Sequence, residues 1–92
     1  MRRKNAKENL AALAKAISHP VRIRIIEILK SHKNCICGEI VDALPIAQAT
    51  VSQHLKVLKD AGWIRGTIAG PATCYCLNPD RIRQFKRLIK NL

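Results

Sequence analysis

The stretch that decides the fold is Ala47-Gln48-Ala49-Thr50-Val51-Ser52-Gln53-His54-Leu55-Lys56-Val57-Leu58-Lys59-Asp60-Ala61-Gly62. Val51, Leu55 and Leu58 recur at helical spacing and form one apolar stripe. The other side carries Ala49, Ser52, Gln53, Lys56 and Asp60, which are small, polar or charged. This predicts a helix from about Ala47 to Ala61, with Gly62 as its C′ stop. A plain apolar back and a small, polar, basic front are what a groove-inserting helix needs. Upstream, Gly38 to Leu44 reads as a short helix closed by Pro45, so Pro45-Ile46 is the turn of a helix pair. Downstream, Trp63–Ile68 and Thr73–Leu77 read as strands around the turn signal Ala69-Gly70-Pro71.

Further out, Leu10, Leu13, Ala14 and Ile17 predict a first helix over Asn5–Ile17. Pro20 suits the first position of a second helix running to Ser31, with Val21, Ile25, Ile28 and Leu29 inward. Asn34-Cys35-Ile36-Cys37 reads as a short extended segment. Asn78-Pro79 opens a last helix on which Ile82, Phe85, Ile89 and Leu92 make an apolar stripe. The fold class is mainly α with a small β-hairpin wing: a winged helix-turn-helix spanning residues 1–92 as one domain, with the helix-turn-helix at 38–61 and the wing at 63–77. In such folds the second helix of the pair enters the major groove.

Composition narrows the partner. The chain has 92 residues, 17 Lys plus Arg against 6 Asp plus Glu, and a formal charge of +11. Apolar residues make up 48%, enough for a core, so this is not a basic disordered tail. Arg2, Arg3, Lys4 and Lys7 cluster at one end, and Arg81, Arg83, Lys86, Arg87 and Lys90 at the other. Such charge favours a polyanion, nucleic acid ahead of membrane. Aromatics are 3%, too few for a base-stacking platform. No membrane span and no signal peptide are read, so the expected location is cytoplasmic. No Ser-His-Asp set, Gly-rich phosphate loop or paired carboxylates argue for an enzyme.

Ser18-His19-Pro20-Val21-Arg22-Ile23-Arg24-Ile25 resembles the "HPxRLRIL" segment of the ArsR/SmtB family of winged-helix repressors. Ala49 through Gly62 resembles that family's "STVSxHLKVLxxAG" recognition helix. The resemblance covers about residues 10 to 79. It implies double-stranded operator DNA as partner and a homodimer through the first and last helices, residues 1–17 and 79–92. Leu10, Leu13, Ile17, Ile82, Phe85 and Ile89 would then lie at the interface. A two-fold dimer sets its recognition helices roughly 34–36 Å apart. The residues placed to meet the groove are Gln48, Ala49, Thr50, Ser52, Gln53 and Lys56. Lys56, Lys59 and Arg65 suit phosphate, and Thr67 on the wing a neighbouring groove. The family usually has Ser or Thr where Ala47 stands, so the expected side-chain cap is missing and either the helix start is offset or another group caps it. His54 is expected to be structural, His19 a helix-start residue, and His32 a surface residue.

Four cysteines form two Cys-x-Cys pairs, Cys35/Cys37 and Cys74/Cys76. In a cytoplasmic chain they are expected as thiols, metal ligands or redox groups rather than a disulfide framework. Cys35-Ile36-Cys37 resembles the sensing site of the family's metalloid and cadmium branch, although the third Cys of the metalloid pattern is replaced by Ile40. If the short strand pairs with the returning wing strand in the right register, all four thiols converge. The expected inducer is arsenite or antimonite, or a thiophilic divalent ion such as Cd²⁺ or Zn²⁺. No cofactor is expected for DNA binding itself. The family's other metal site, Asp and His on the last helix, is not expected, because residues 79–92 hold no His and only Asp80. Two alternatives stay open: a thiol redox or reactive-sulfur repressor of the same fold, and a zinc-stabilised structural or RNA-interaction module.

Overall fold

The computed structural model describes residues 5–37, 44–67 and 74–92. The elements are α1 (Ala6–Ala16), α2 (Pro20–Ser31), β1 (Cys35–Cys37), α3 (Gln48–Asp60), β2 (Ile64–Thr67), β3 (Cys74–Leu77) and α4 (Pro79–Lys90). The expected short helix at Gly38–Leu44, apart from Leu44, lies outside the described residues. So do Arg2–Lys4, Ile68, the wing turn Ala69-Gly70-Pro71 and Thr73.

Local chemistry sets the helix ends. Asn5 caps α1 by accepting from the Glu8 amide at 2.9 Å. His19 caps α2, its Nδ1 accepting from the Val21 amide at 3.1 Å, and Pro20 sits in the first turn. Asn78 caps α4, with Pro79 in its first turn. The C-terminus of α3 closes with Gly62 at φ +85. The Gly62 amide donates to the Lys59 carbonyl and the Trp63 amide to the Leu58 carbonyl, both at 3.0 Å. That is the paired hydrogen-bond pattern of a Schellman motif. Leu58 and Trp63, the two apolar residues bracketing it, are buried.

Ala47 is the N-cap of α3 and makes no side-chain cap bond. The helix starts one residue inside the predicted span, and its Thr50 and Val51 amides donate to the Ala47 carbonyl at 3.0 and 3.1 Å. Ala47→Ser is expected to stabilise the chain by about 1 kcal/mol, read as a raised urea midpoint at unchanged m-value.

The core joins the stripes: Leu13 and Ala16 of α1, Ile25, Ile28 and Leu29 of α2, and Val51, Leu55 and Leu58 of α3 are all buried. Trp63 ties the ends of the chain to this core. Its indole N–H donates to the Leu13 carbonyl at 3.0 Å, and its ring meets Phe85 edge-on at 5.2 Å between centroids. Leu13 is 4% exposed within the single chain. Leu13, expected at the dimer interface, is thus turned by α1 into the core of its own chain. Leu10, Ile17, Ile82 and Phe85 are half-buried, and Ile89 is 48% exposed.

The sheet is antiparallel in the order β1-β3-β2. Alternation puts Ile64, Tyr75 and Leu77 on the buried face, with Ile36 half-buried beside them. Gly66 lies opposite Tyr75, and a Cβ there would collide with the Cys74 carbonyl oxygen and come within 2.9 Å of the Tyr75 ring. The absent side chain lets the two wing strands close over that ring.

Candidate nucleic-acid interface and cysteine face

The outward surface of α3 follows from its inward one. With Val51, Leu55 and Leu58 fixed in the core, Gln48, Ala49, Thr50, Ser52, Gln53 and Lys56 are all exposed. This is the set expected at the groove, presented on one rigid element. Lys56 also pairs with Asp60 one turn on at 3.5 Å, an exposed contact that DNA phosphate can replace at little cost. Lys59 is half-buried. Arg65 is engaged elsewhere: its guanidinium donates to Asn78 Oδ1 at 3.0 Å and lies 3.7 Å from Asp80. Its first role is to tie β2 to the start of α4. Thr67 ends β2, at the described root of the wing.

Asn78 was not singled out from sequence beyond its cap. It is 8% exposed, donates to the Gly62 carbonyl at 3.0 Å and accepts from Asp80 N–H at 3.2 Å as well as from Arg65. One side chain thus joins the end of α3, the wing and α4.

The back of α3 meets α2 through two imidazoles. The rings of His19 and His54 lie 4.5 Å apart at 46°. His54 was expected to make a structural hydrogen bond; what the structure shows is this ring contact. Burial lowers its pKa, and the nearby His19 and Arg22 push it in the same direction. A histidine whose folded pKa lies below its unfolded value binds protons more weakly when folded. Its stabilising effect is complete above the unfolded pKa, near 6.5, and is lost as pH falls through the folded one. Unfolding free energy should therefore drop below about pH 6.5, and His54→Gln should flatten that limb in urea titrations. His32 Nδ1 lies 2.8 Å from the Ile28 carbonyl at the end of α2.

The four cysteines converge on the sheet's outer face. β1 and β3 pair Cys35 with Cys76 and Cys37 with Cys74. The Leu77 amide donates to the Asn34 carbonyl at 2.7 Å, making the Asn34–Leu77 pair a hydrogen-bonded one. Both cysteine pairs then occupy the alternate positions, where opposed side chains come closest. Their Cα atoms are 4.0 and 4.1 Å apart, and both pairs are closed as disulfides. The expectation of free thiols is corrected: none of the four cysteines is free in this structure. In this covalent state the sulfurs are not thiolate ligands, so ion capture requires reduction first. Cys35 and Cys37 are exposed, and Cys74 and Cys76 half-buried. Across β3, Arg65 stands beside Cys76 and Thr67 beside Cys74 in register.

A three-stranded antiparallel sheet packed behind an outward-facing helix with a polar front defines a winged helix-turn-helix DNA-binding domain. A family model described as a helix-turn-helix domain matches residues 17–67. An HTH-type transcriptional regulator of Methanocaldococcus jannaschii is 33% identical over 86 residues, covering 92% of this chain and 96% of that one. The HTH-type transcriptional repressor SmtB of Mycobacterium tuberculosis is 45% identical over 65 residues, covering 71% of this chain and 47% of the repressor. The crystal structure of an ArsR family transcriptional regulator superposes with a TM-score of 0.80 at 18% identity, covering 99% of this chain and 91% of the other. The chain belongs to the ArsR/SmtB family of winged-helix transcriptional regulators. It is a family of regulators, not of enzymes. No helix among the described residues is long and apolar enough to cross a membrane.

Proposed function

We propose that this protein is a DNA-binding transcriptional repressor whose operator affinity is set by the oxidation state of its two cross-strand cysteine pairs. The observation that carries the reading is the register: Cys35 opposite Cys76 and Cys37 opposite Cys74, on the outer face of the sheet that bears the wing. β1 leads into the helix-turn-helix and β3 returns from the wing, so a bond between them couples the two DNA-contacting parts. Reduction adds two electrons and two protons per disulfide, supplied by a dithiol that is itself oxidised. The reduced form is the tighter DNA binder; exchange with a small disulfide, which takes up the two electrons and two protons per bond and leaves as a dithiol, closes the disulfides, ties β1 to the wing strand and releases the operator.

The repressor acts as a two-fold dimer through α1 and α4. Half-buried Leu10, Ile82 and Phe85, with Ile89 at 48% and Leu92 at 91% exposure, supply apolar surface that one chain leaves uncovered. Sedimentation of the folded chain should give twice the monomer mass.

A second reading shares the same residues. Once reduced, four thiols on one face offer a soft-donor site for As(III), Sb(III), Cd²⁺ or Zn²⁺. Gel shifts on an operator selected from random duplexes separate the two. The redox reading expects at least about a five-fold affinity change between disulfide and dithiol forms without added ion. The ion reading expects that change only when ion is added to reduced protein. Equal affinity in every state rejects both.

A further inference from the structure

A cleft of about 470 Å³ opens between α1, α2 and α3. Its apolar walls are Ala12 and Ala16 on one side and Val57 and Ala61 on the other, while Lys15 and Arg22 bring positive charge to its rim. The volume is that of a small-molecule site. Val57 is one of the large apolar side chains this chain leaves exposed, at 38%.

The charge of the cleft is unbalanced. Among the described residues neither Lys15 nor Arg22 has a carboxylate within ion-pair distance. The one acid in the lining, Asp60, is already paired with Lys56 at 3.5 Å. The Ser18 hydroxyl, also in the lining, spends its proton on the Lys15 carbonyl at 2.7 Å. Independently, the buried Arg22 Nε has no hydrogen-bond partner among the described residues. Folded proteins rarely leave a buried donor unpaired. An oxyanion seated beside Arg22 sets a negative charge against a guanidinium that the described residues leave without a carboxylate. It would be met by Lys15 at the same rim.

We propose that this cleft binds a small carboxylate carried on a compact apolar body. The carboxylate lies between Lys15 and Arg22, and the apolar body packs against Ala12, Ala16, Val57 and Ala61. Two cations are too few for a polyphosphate, and walls of alanine and valine give a bare inorganic anion nothing to bury. The site is formed by helix packing and does not depend on the cysteines or on the DNA-binding reading. Because Val57 and Ala61 belong to α3 and its cap, a bound molecule bridges the recognition helix to α1 and α2.

The probe is 1-naphthoate, titrated into the isotopically labelled, disulfide-closed chain and followed by amide chemical shifts. The expected result is saturable shifts centred on Ala12, Ala16, Val57 and Ala61, with the neutral 1-naphthamide at least about ten-fold weaker and inorganic phosphate without effect at these amides. Lys15→Glu is expected to weaken naphthoate at least about five-fold. Val57→Trp, which fills the cleft from an already exposed position, is expected to abolish binding while the circular dichroism of the chain is retained. No saturable shift, shifts centred elsewhere, equal binding of naphthamide or phosphate, or full affinity in a folded Val57→Trp chain would each overturn the proposal.

Discussion

Gln53→Ala is expected to weaken operator binding by about 5- to 150-fold and to relax discrimination at one base position. That range corresponds to about 1–3 kcal/mol for one bidentate amide–adenine contact. Gln53 is exposed on α3, away from the stripe Val51, Leu55 and Leu58 that holds the helix in place. Alanine is a better helix former than glutamine, so the fold should not suffer. Lys56→Ala should behave differently. It removes a phosphate partner, so binding falls on all sequences alike and the slope of log affinity against log salt drops by about one. Competition binding against base-substituted duplexes at several salt concentrations distinguishes these outcomes. A Gln53→Ala chain with unaltered affinity and selectivity would mean that the exposed side of α3 is not the reading surface.

The second large effect is expected from reduction. The disulfides join residues 41 and 37 positions apart. Closing a loop of that length restricts the unfolded chain by an amount worth about 4 kcal/mol. The second bond, nested inside the first, adds less. Against the roughly 5–15 kcal/mol that holds a typical domain together, this is a large share. Reduction with a phosphine should therefore lower Tm by about 15 °C or more, using about 4–8 °C per kcal/mol for a chain of this size. A chain with all four cysteines replaced by serine should melt at the lower temperature with or without reductant. Identical melting of oxidised and reduced protein would show that β1 and β3 are held without the bonds.

The recognition helix was legible in the sequence because its stripe has helical period and a glycine stop, and both signals are local. The helix starts at His19 and Asn78 were legible for the same reason: each is a residue type beside the turn it begins, whereas Asn5, read as the first residue of its helix, is the cap that precedes it. Three features were not, and each depends on distance through space. A stripe on α1 says that Leu13 is buried but not by what, and Trp63 of the same chain reaches it. Trp63 itself carries no period to reveal its partners. The disulfides turned on register and oxidation state. The expectation of thiols came from the inferred compartment rather than from the residues. One signal for the register was present. Both pairs have the same one-residue spacing, so any antiparallel alignment that sets Cys35 against Cys76 also sets Cys37 against Cys74. Arg65 was read as a phosphate contact from its charge and position; that it also stands beside Asn78 and Asp80 depends on how α4 returns to the wing.

The central claim is that the outward side of α3 enters duplex DNA. The most direct test places a photo-crosslinking amino acid at Gln53 and, separately, at Lys86, an exposed position on α4. Each chain is then irradiated on the selected operator. The account predicts efficient crosslinks to bases from position 53 and none from position 86. Crosslinks from position 86 with none from position 53, on protein that still binds the duplex, would contradict it.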